Sequence, residues 1–216
     1  MQILMIAQYL NLPGQEEDRF FKLGRNWIEA GHQVSVISIN SGTGLELGKK
    51  KVGLVQHNGV PVIALNAPYS PQMSNGQKAL SYLRFARMAL KQGLDLPRPD
   101  LILAASPPLT ALWPALKLAE RFEAGLIIEL RELWPDAPVQ RGSLKSELMI
   151  KALKRLESRA YEQADRLVAD GVGIGEALKE RGVNQSKITV IPRGTAVTEL
   201  FGSYDTIMTG LTEKNK

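Results

Sequence analysis

The sequence predicts an α/β protein built on a doubly wound, mainly parallel sheet with helices on both faces and one β-hairpin at an edge. Three observations predict it. Short apolar or β-branched runs alternate with segments of helical period from residue 2 to residue 191. The first forty residues read strand, helix, strand, a unit whose crossover is right-handed and whose strands are parallel. A single Asn58-Gly59 pair sits between two apolar runs and supplies the two positive-φ residues of a tight antiparallel turn.

Gln2 to Tyr9 is the first apolar run, and the stretch from Glu16 to Ala30 carries Phe20, Phe21, Leu23, Trp27 and Ile28 at helical spacing before Gly31 stops it. Gln33 to Ile39 is a β-branched strand. Val52 to His57 and Val60 to Leu65 form the hairpin. A breaker-rich loop from Asn66 to Gly76 leads to a helix over Gln77 to Gln92. Strands at Leu101–Ala105, Leu126–Leu130, Arg166–Ala169 and Ile188–Ile191 then alternate with helices at Leu109–Phe122, Ser143–Gln163 and Gly175–Arg181. Residues 1–201 form one domain. The tail from Gly202 to Lys216 has no period and reads as a frayed end or the start of a linker to a further C-terminal domain.

The 216 residues are 44% apolar, enough for one sizeable core. With no cysteine, disulfides, thiolate catalysis and Cys-ligated metals are excluded. Only His32 and His57 carry imidazole, and neither stands in a metal-ligand spacing, so neither a metal site nor a histidine triad is expected. No run approaches the roughly 20 apolar residues of a membrane span, and the start lacks a signal-peptide pattern. The expectation is a soluble, cytoplasmic chain. Its 27 Lys plus Arg against 22 Asp plus Glu give a net charge of +5, compatible with anionic partners. The cations are scattered without interleaved aromatics, so no nucleic-acid partner is expected.

The chemistry concentrates in Arg131-Glu132-Leu133-Trp134-Pro135-Asp136, where a buried strand empties into a charged loop. Ligands of open α/β sheets bind at such strand ends. Two acids, a cation and an indole suit a hydroxyl-rich ligand; a solvated rim has the same composition. Arg131 faces the same choice between an acceptor phosphate and an internal pair with Glu132. Gly14, between the first strand and first helix, either lets a ligand approach the backbone or serves an ordinary tight turn. The run Asp170-Gly171-Val172-Gly173-Ile174-Gly175 follows a strand, but Glu176 stands where a dinucleotide fingerprint needs its last glycine, so it reads as a plain helix start. No phosphate-loop lysine motif occurs, and no cofactor is expected.

Five segments together resemble one family. These are the helix end Glu29-Ala30-Gly31-His32-Gln33-Val34, the strand Pro99-Asp100 to Ser106-Pro107-Pro108, the loop Arg131 to Asp136, the strand Ala164-Asp165-Arg166-Leu167-Val168, and Ile188 to Gly194 running on to Phe201. In that order they resemble the N-terminal, acceptor-binding half of family-4 glycosyltransferases of the GT-B fold, near bacterial O-antigen and capsule enzymes that include fucosamine transferases.

The resemblance implies a Rossmann-like domain of a retaining enzyme of cell-surface polysaccharide synthesis, with most donor contacts made by a C-terminal domain. It implies a nucleotide-sugar donor and a glycan acceptor carried on a lipid. Glu132 and Asp136 would orient the acceptor hydroxyl as the catalytic acids, and Gly14, Ser106, Arg131 and Trp134 would bind substrate. A non-catalytic ligand- or partner-binding module is the alternative. Two departures stand out. The usual Arg-Asp-Leu-Trp-Pro-Glu has its acids exchanged in length at Glu132 and Asp136, and the usual Pro-Asn-Gly-Val-Asp becomes Pro192-Arg193-Gly194-Thr195-Ala196.

Basic amphipathic helices add the expectation of peripheral contact with the inner face of a cell membrane. Lys78, Arg84, Arg87 and Lys91 stand beside Leu80, Tyr82, Leu83, Phe85 and Met88, and Lys145, Lys151, Lys154, Arg155 and Arg159 decorate the next long helix. A helix whose apolar face simply lies in the core has the same pattern.

Overall fold

The structure is a computed structural model that describes residues 1–9, 19–40, 47–57, 59–70 and 72–192. Its strands are β1 (Gln2–Ile6), β2 (Gln33–Ile39), β3 (Val52–His57), β4 (Val60–Leu65), β5 (Leu101–Ser106), β6 (Gly125–Leu130), β7 (Arg166–Ala169) and β8 (Ile188–Val190). Its helices are α1 (Arg19–Glu29), α2 (Asn75–Leu94), α3 (Leu112–Phe122), α4 (Asp136–Gln140), α5 (Glu147–Gln163) and α6 (Val172–Glu180). Gly14 and the tail lie outside the described residues, as does Asn58 of the hairpin turn; its neighbour Gly59 adopts φ +81°.

Among the described residues, eight strands join one sheet in the order β3-β4-β2-β1-β5-β6-β7-β8. Every neighbouring pair is parallel except β3 with β4. The expected architecture is therefore the one observed. Because β2 and β5 flank β1, the winding direction reverses between β1 and β5, the place where open α/β sheets bind ligands.

Side chains alternate between two cores, as strand geometry requires. Leu4 and Ile6 of β1, Ile102 and Ala104 of β5, and Leu126, Ile128 and Leu130 of β6 face one core, with Phe85 of α2, Leu112 and Leu118 of α3, Ala160 of α5 and Leu178 of α6. Ile3, Met5, Leu103 and Ala105 face the other, closed among the described residues by Phe20 and Phe21 of α1. The layering is lopsided because the hairpin occupies the connection that would otherwise supply a second helix to the α1 face.

Boundaries moved where caps decide them. Ser74 accepts from the Gln77 amide while the Gln77 side chain accepts from the Ser74 amide, a capping box that starts α2 at Asn75 rather than Gln77. Ser146 caps α5, which therefore begins at Glu147 and not at Ser143. The helix expected from Leu109 opens with a 3-10 turn over Leu109–Ala111. Helix α4 was not expected at all, since Pro135 and Pro138 read as loop residues; proline is tolerated in a first helical turn, where its missing N–H has no partner to lose. Helix α6 starts at Val172, after Gly171, rather than at Gly175, and Gly175 inside it has a packing reason. A Cβ on Gly175 would lie 2.7 Å from Val190 Cγ2, so glycine lets α6 approach β8.

Candidate functional site

Since β1, β5, β6 and β7 run in parallel, the chain leaves Ile6, Ser106, Leu130 and Ala169 at the same edge of the sheet. Tyr9, the Ser106–Thr110 turn, the Arg131–Asp136 loop and Asp170 are collected there. Ser106 and Arg131 meet through the backbone, the Arg131 amide donating to the Ser106 carbonyl at 2.9 Å.

Four aromatic rings converge at this edge from three connections. Tyr9 follows β1 and packs at 4.5 Å, centroid to centroid, on Tyr69, which follows β4. Tyr69 stacks at 5.9 Å on Tyr82 of α2. Tyr82 meets Trp134 edge-on at 6.1 Å. Of the four, the sequence pointed only to Trp134, because the three tyrosines share no local spacing. Burial raises the phenol pKa of Tyr9 well above its ordinary value and pushes that of Tyr82 up to about 12, so both hydroxyls stay protonated near neutral pH.

Trp134 is oriented through Glu132. The indole Nε1 donates to Glu132 Oε2 at 2.9 Å, and Nη1 and Nη2 of Arg141 donate to the same carboxylate. The Arg141 hydrogen bonds, supported by the indole against the opposing effect of burial, lower the Glu132 pKa below its ordinary value. An ionised carboxylate has about four acceptor positions, so three donors leave one open.

Three buried side-chain atoms at this edge have no hydrogen-bond partner among the described residues: Gln8 Oε1, Ser106 Oγ and Thr110 Oγ1. Ser106 continues the β5 row Ile102–Ala104, and Gln8 continues the β1 row Leu4–Ile6, so both fall on the α2–α3 face together with the ring cluster. An unsatisfied buried polar group costs about 1–3 kcal/mol, which a bound water or ligand hydroxyl would recover.

Arg131 does not pair with Glu132. Its Nε donates to Glu129 Oε1 at 3.1 Å, and its guanidinium lies 5.3 Å from the Phe20 ring centroid. Alternation explains the correction: Arg131, whose amide extends the β6 ladder by one residue, shares the face of Glu129 two residues back, and Glu132 falls on the other. Glu129 is 2% exposed, and Arg19 lies within 3.9 Å of it. Arg19, the first residue of α1, also reaches Asp170 at 3.5 Å and donates to the Ile191 carbonyl at 2.9 Å. This network ties α1 to the ends of β6, β7 and β8 on the α1 face. Sequence reading missed Glu129 because it sits inside an apolar strand.

Asp136 points elsewhere. It pairs with Arg181, which also holds Glu157, and lies 3.4 Å from Lys154. These residues and Tyr161 line a polar groove of about 580 Å³ between α5 and the end of α6. The two acids that the sequence placed together therefore hold separate partners: Glu132 joins the aromatic cluster and Asp136 joins the groove. A further cleft, of about 380 Å³, lies at the opposite edge among Gln2, His32, Gln33 and Pro97, where the strands begin. Among the described residues, no group of three His, Asp or Glu side chains could hold a metal ion, and no helix is long and apolar enough to cross a membrane.

The sequence pattern of the family described as "Glycosyl transferase 4-like domain" matches residues 17–194. The chain belongs to that family. This glycosyl transferase 4-like domain is similar in fold to a sucrose-phosphate synthase chain from Thermosynechococcus elongatus, with TM-score 0.55 and 16% identity over 98% of this chain and 99% of that one. It is similar to Alr3699/HepE of Anabaena in complex with UDP and glucose, with TM-score 0.55 and 18% identity over 92% of this chain but 46% of that one. The α,α-trehalose 6-phosphate synthase of Burkholderia multivorans aligns with TM-score 0.54 and 14% identity over 90% and 48% of the two chains. The domain thus spans about half the length of the latter two. No curated protein sequence matches it.

Proposed function

We propose that this glycosyl transferase 4-like domain is the acceptor-binding half of a retaining GT-B glycosyltransferase, passing a sugar from a nucleotide sugar to a lipid-linked glycan in cell-surface polysaccharide synthesis. The observation that carries the acceptor assignment is the ring cluster with Trp134 locked to Glu132 at the carboxyl edge of the sheet. Ring faces stack on the C–H faces of a sugar, while the phenol hydroxyls and the open position on Glu132 take up its hydroxyls. Glu132 orients the acceptor hydroxyl and complements charge as it attacks; Asp136, engaged by Arg181 and Lys154, holds the loop that presents Glu132. Gly14, Ser106 and Arg131 complete the proposed substrate-binding set. A nucleotide-sugar donor is supported by the HepE structures, which are complexes with UDP, UDP-glucose, or UDP and glucose.

The test is sugar transfer by the full-length protein from labelled nucleotide sugars to a lipid-linked glycan extract, in wild type and Trp134→Ala. A raised acceptor KM with an unchanged donor KM supports the assignment. An unchanged acceptor KM removes the rings from the acceptor site. Glycan binding without transfer from any nucleotide sugar favours the non-catalytic module.

A further inference from the structure

The solvent face of α2 carries a pattern that its packing does not need. Its core contacts are made by Ser81, Phe85, Ala86, Ala89 and Gly93. On the opposite stripe Leu80, Leu83 and Leu94 are 66%, 49% and 46% exposed, alternating with exposed Arg84, Arg87 and Lys91. A helix with one apolar face in the core explains the buried residues and leaves these leucines unexplained. Helix α2 holds four cations and no acid, and none of the four makes an ion pair among the described residues.

A second stripe begins at α4. Val139 is exposed there, Leu148 and Met149 are 80% and 43% exposed in the first turn of α5, and Lys145, Lys151 and Arg155 surround them without ion pairs among the described residues. Both stripes begin at the carboxyl edge of the sheet, where the aromatic cluster lies. Helices α2 and α5 both start where β4 and β6 end, Tyr82 between Leu80 and Leu83 touches Trp134 just before α4, and the charge of Arg141 acts on the Tyr82 hydroxyl.

We propose that this rim, Leu80, Leu83, Arg84 and Arg87 on one side and Leu148 and Met149 on the other, docks on an anionic lipid surface. Exposed aliphatic side chains bury at the headgroup boundary while cations beside them meet phosphate. A nucleic acid would call for stacking rings between the cations in place of leucines. A second copy of the chain would bring one cationic stripe against another. Docked in this way, the rim turns the aromatic cluster towards the lipid surface.

The experiment is co-sedimentation of the 216-residue chain with phosphatidylcholine vesicles, with and without one-third phosphatidylglycerol, at low and high salt. Binding to the anionic vesicles alone, weakened by salt, is the expected result. Arg84→Ala with Arg87→Ala lowers partitioning about thirtyfold, at about 1 kcal/mol per basic side chain near an anionic surface. Leu83→Asp lowers it as well, while far-UV circular dichroism shows the fold retained. Arg121→Ala with Arg166→Ala, an equal charge change at the opposite edge of the sheet, leaves it within twofold. No pelleting with anionic vesicles at low salt overturns the proposal, as does an equal loss from the Arg121/Arg166 pair or self-association in place of vesicle binding. Because no sugar is transferred in this assay, its failure leaves the transferase reading standing.

Discussion

Trp134 and Glu132 are joined side chain to side chain, Nε1 to Oε2 at 2.9 Å, with Arg141 gripping the same carboxylate from its other side. Ring orientation and carboxylate position are thereby one variable. Trp134→Phe keeps a ring and deletes the donor, and with Glu132 one-third exposed the loss is at the low end for a charged hydrogen bond, about 1 kcal/mol. A lower urea midpoint at unchanged m-value checks it; an unchanged midpoint shows that the bond contributes nothing.

The lowered pKa of Glu132 fixes a pH signature. Its contribution is present above the unfolded glutamate value of about 4.3 and is lost as pH falls through the lower folded value. The stability difference between wild type and Glu132→Gln is therefore constant above about pH 5 and shrinks below about pH 4. Burial raises Glu157, so its sign is opposite: its contribution is present below about pH 4.3 and declines as pH rises through the folded value. Chemical unfolding of wild type, Glu132→Gln and Glu157→Gln from pH 3 to 7 checks the two slopes.

The buried Glu129 carboxylate predicts strong coupling with Arg131. Arg131→Met removes the nearest cation from a side chain that is 2% exposed and costs about 3–5 kcal/mol. Adding Glu129→Gln restores most of that loss, because no uncompensated charge remains. A double-mutant cycle in guanidinium measures it, and additive losses would show that the pair is energetically independent.

Gly93 is where α2 meets α3. A Cβ there collides with Leu118 Cδ1 and crowds two more atoms of the same fully buried side chain. Alanine in a helix gains about 0.5–1 kcal/mol over glycine, but overpacking costs about 1–3, so Gly93→Ala lowers stability by about 1 kcal/mol. In a Leu118→Ala background the same substitution stabilises the chain. A reversal of sign between the two backgrounds, read as shifts in Tm, is the check.

Local chemistry was enough for the strands and most of the helices. The hairpin pairs Val52–His57 with Val60–Leu65 as its Asn-Gly signal required, and β2 spans the very residues its β-branched run marked. The misses have physical causes. Helix α4 is a single turn whose prolines suit only its first positions, and the starts of α2 and α5 belong to serine caps that sit outside the apolar period.

By itself the sequence determined the strands and most of the helices, the parallel sheet, the loop holding Trp134 and Glu132, and the resemblance to its glycosyltransferase family. These follow from period, turn chemistry and residue order, which act over a few residues at a time. Only the tertiary structure decided that Tyr9, Tyr69 and Tyr82 join Trp134, that Glu129 and not Glu132 takes Arg131, and that Asp136 turns to Arg181. Strand order and the two-residue alternation of β6 set those partners, and strand order arises from pairing residues far apart in the chain, which local spacing does not encode.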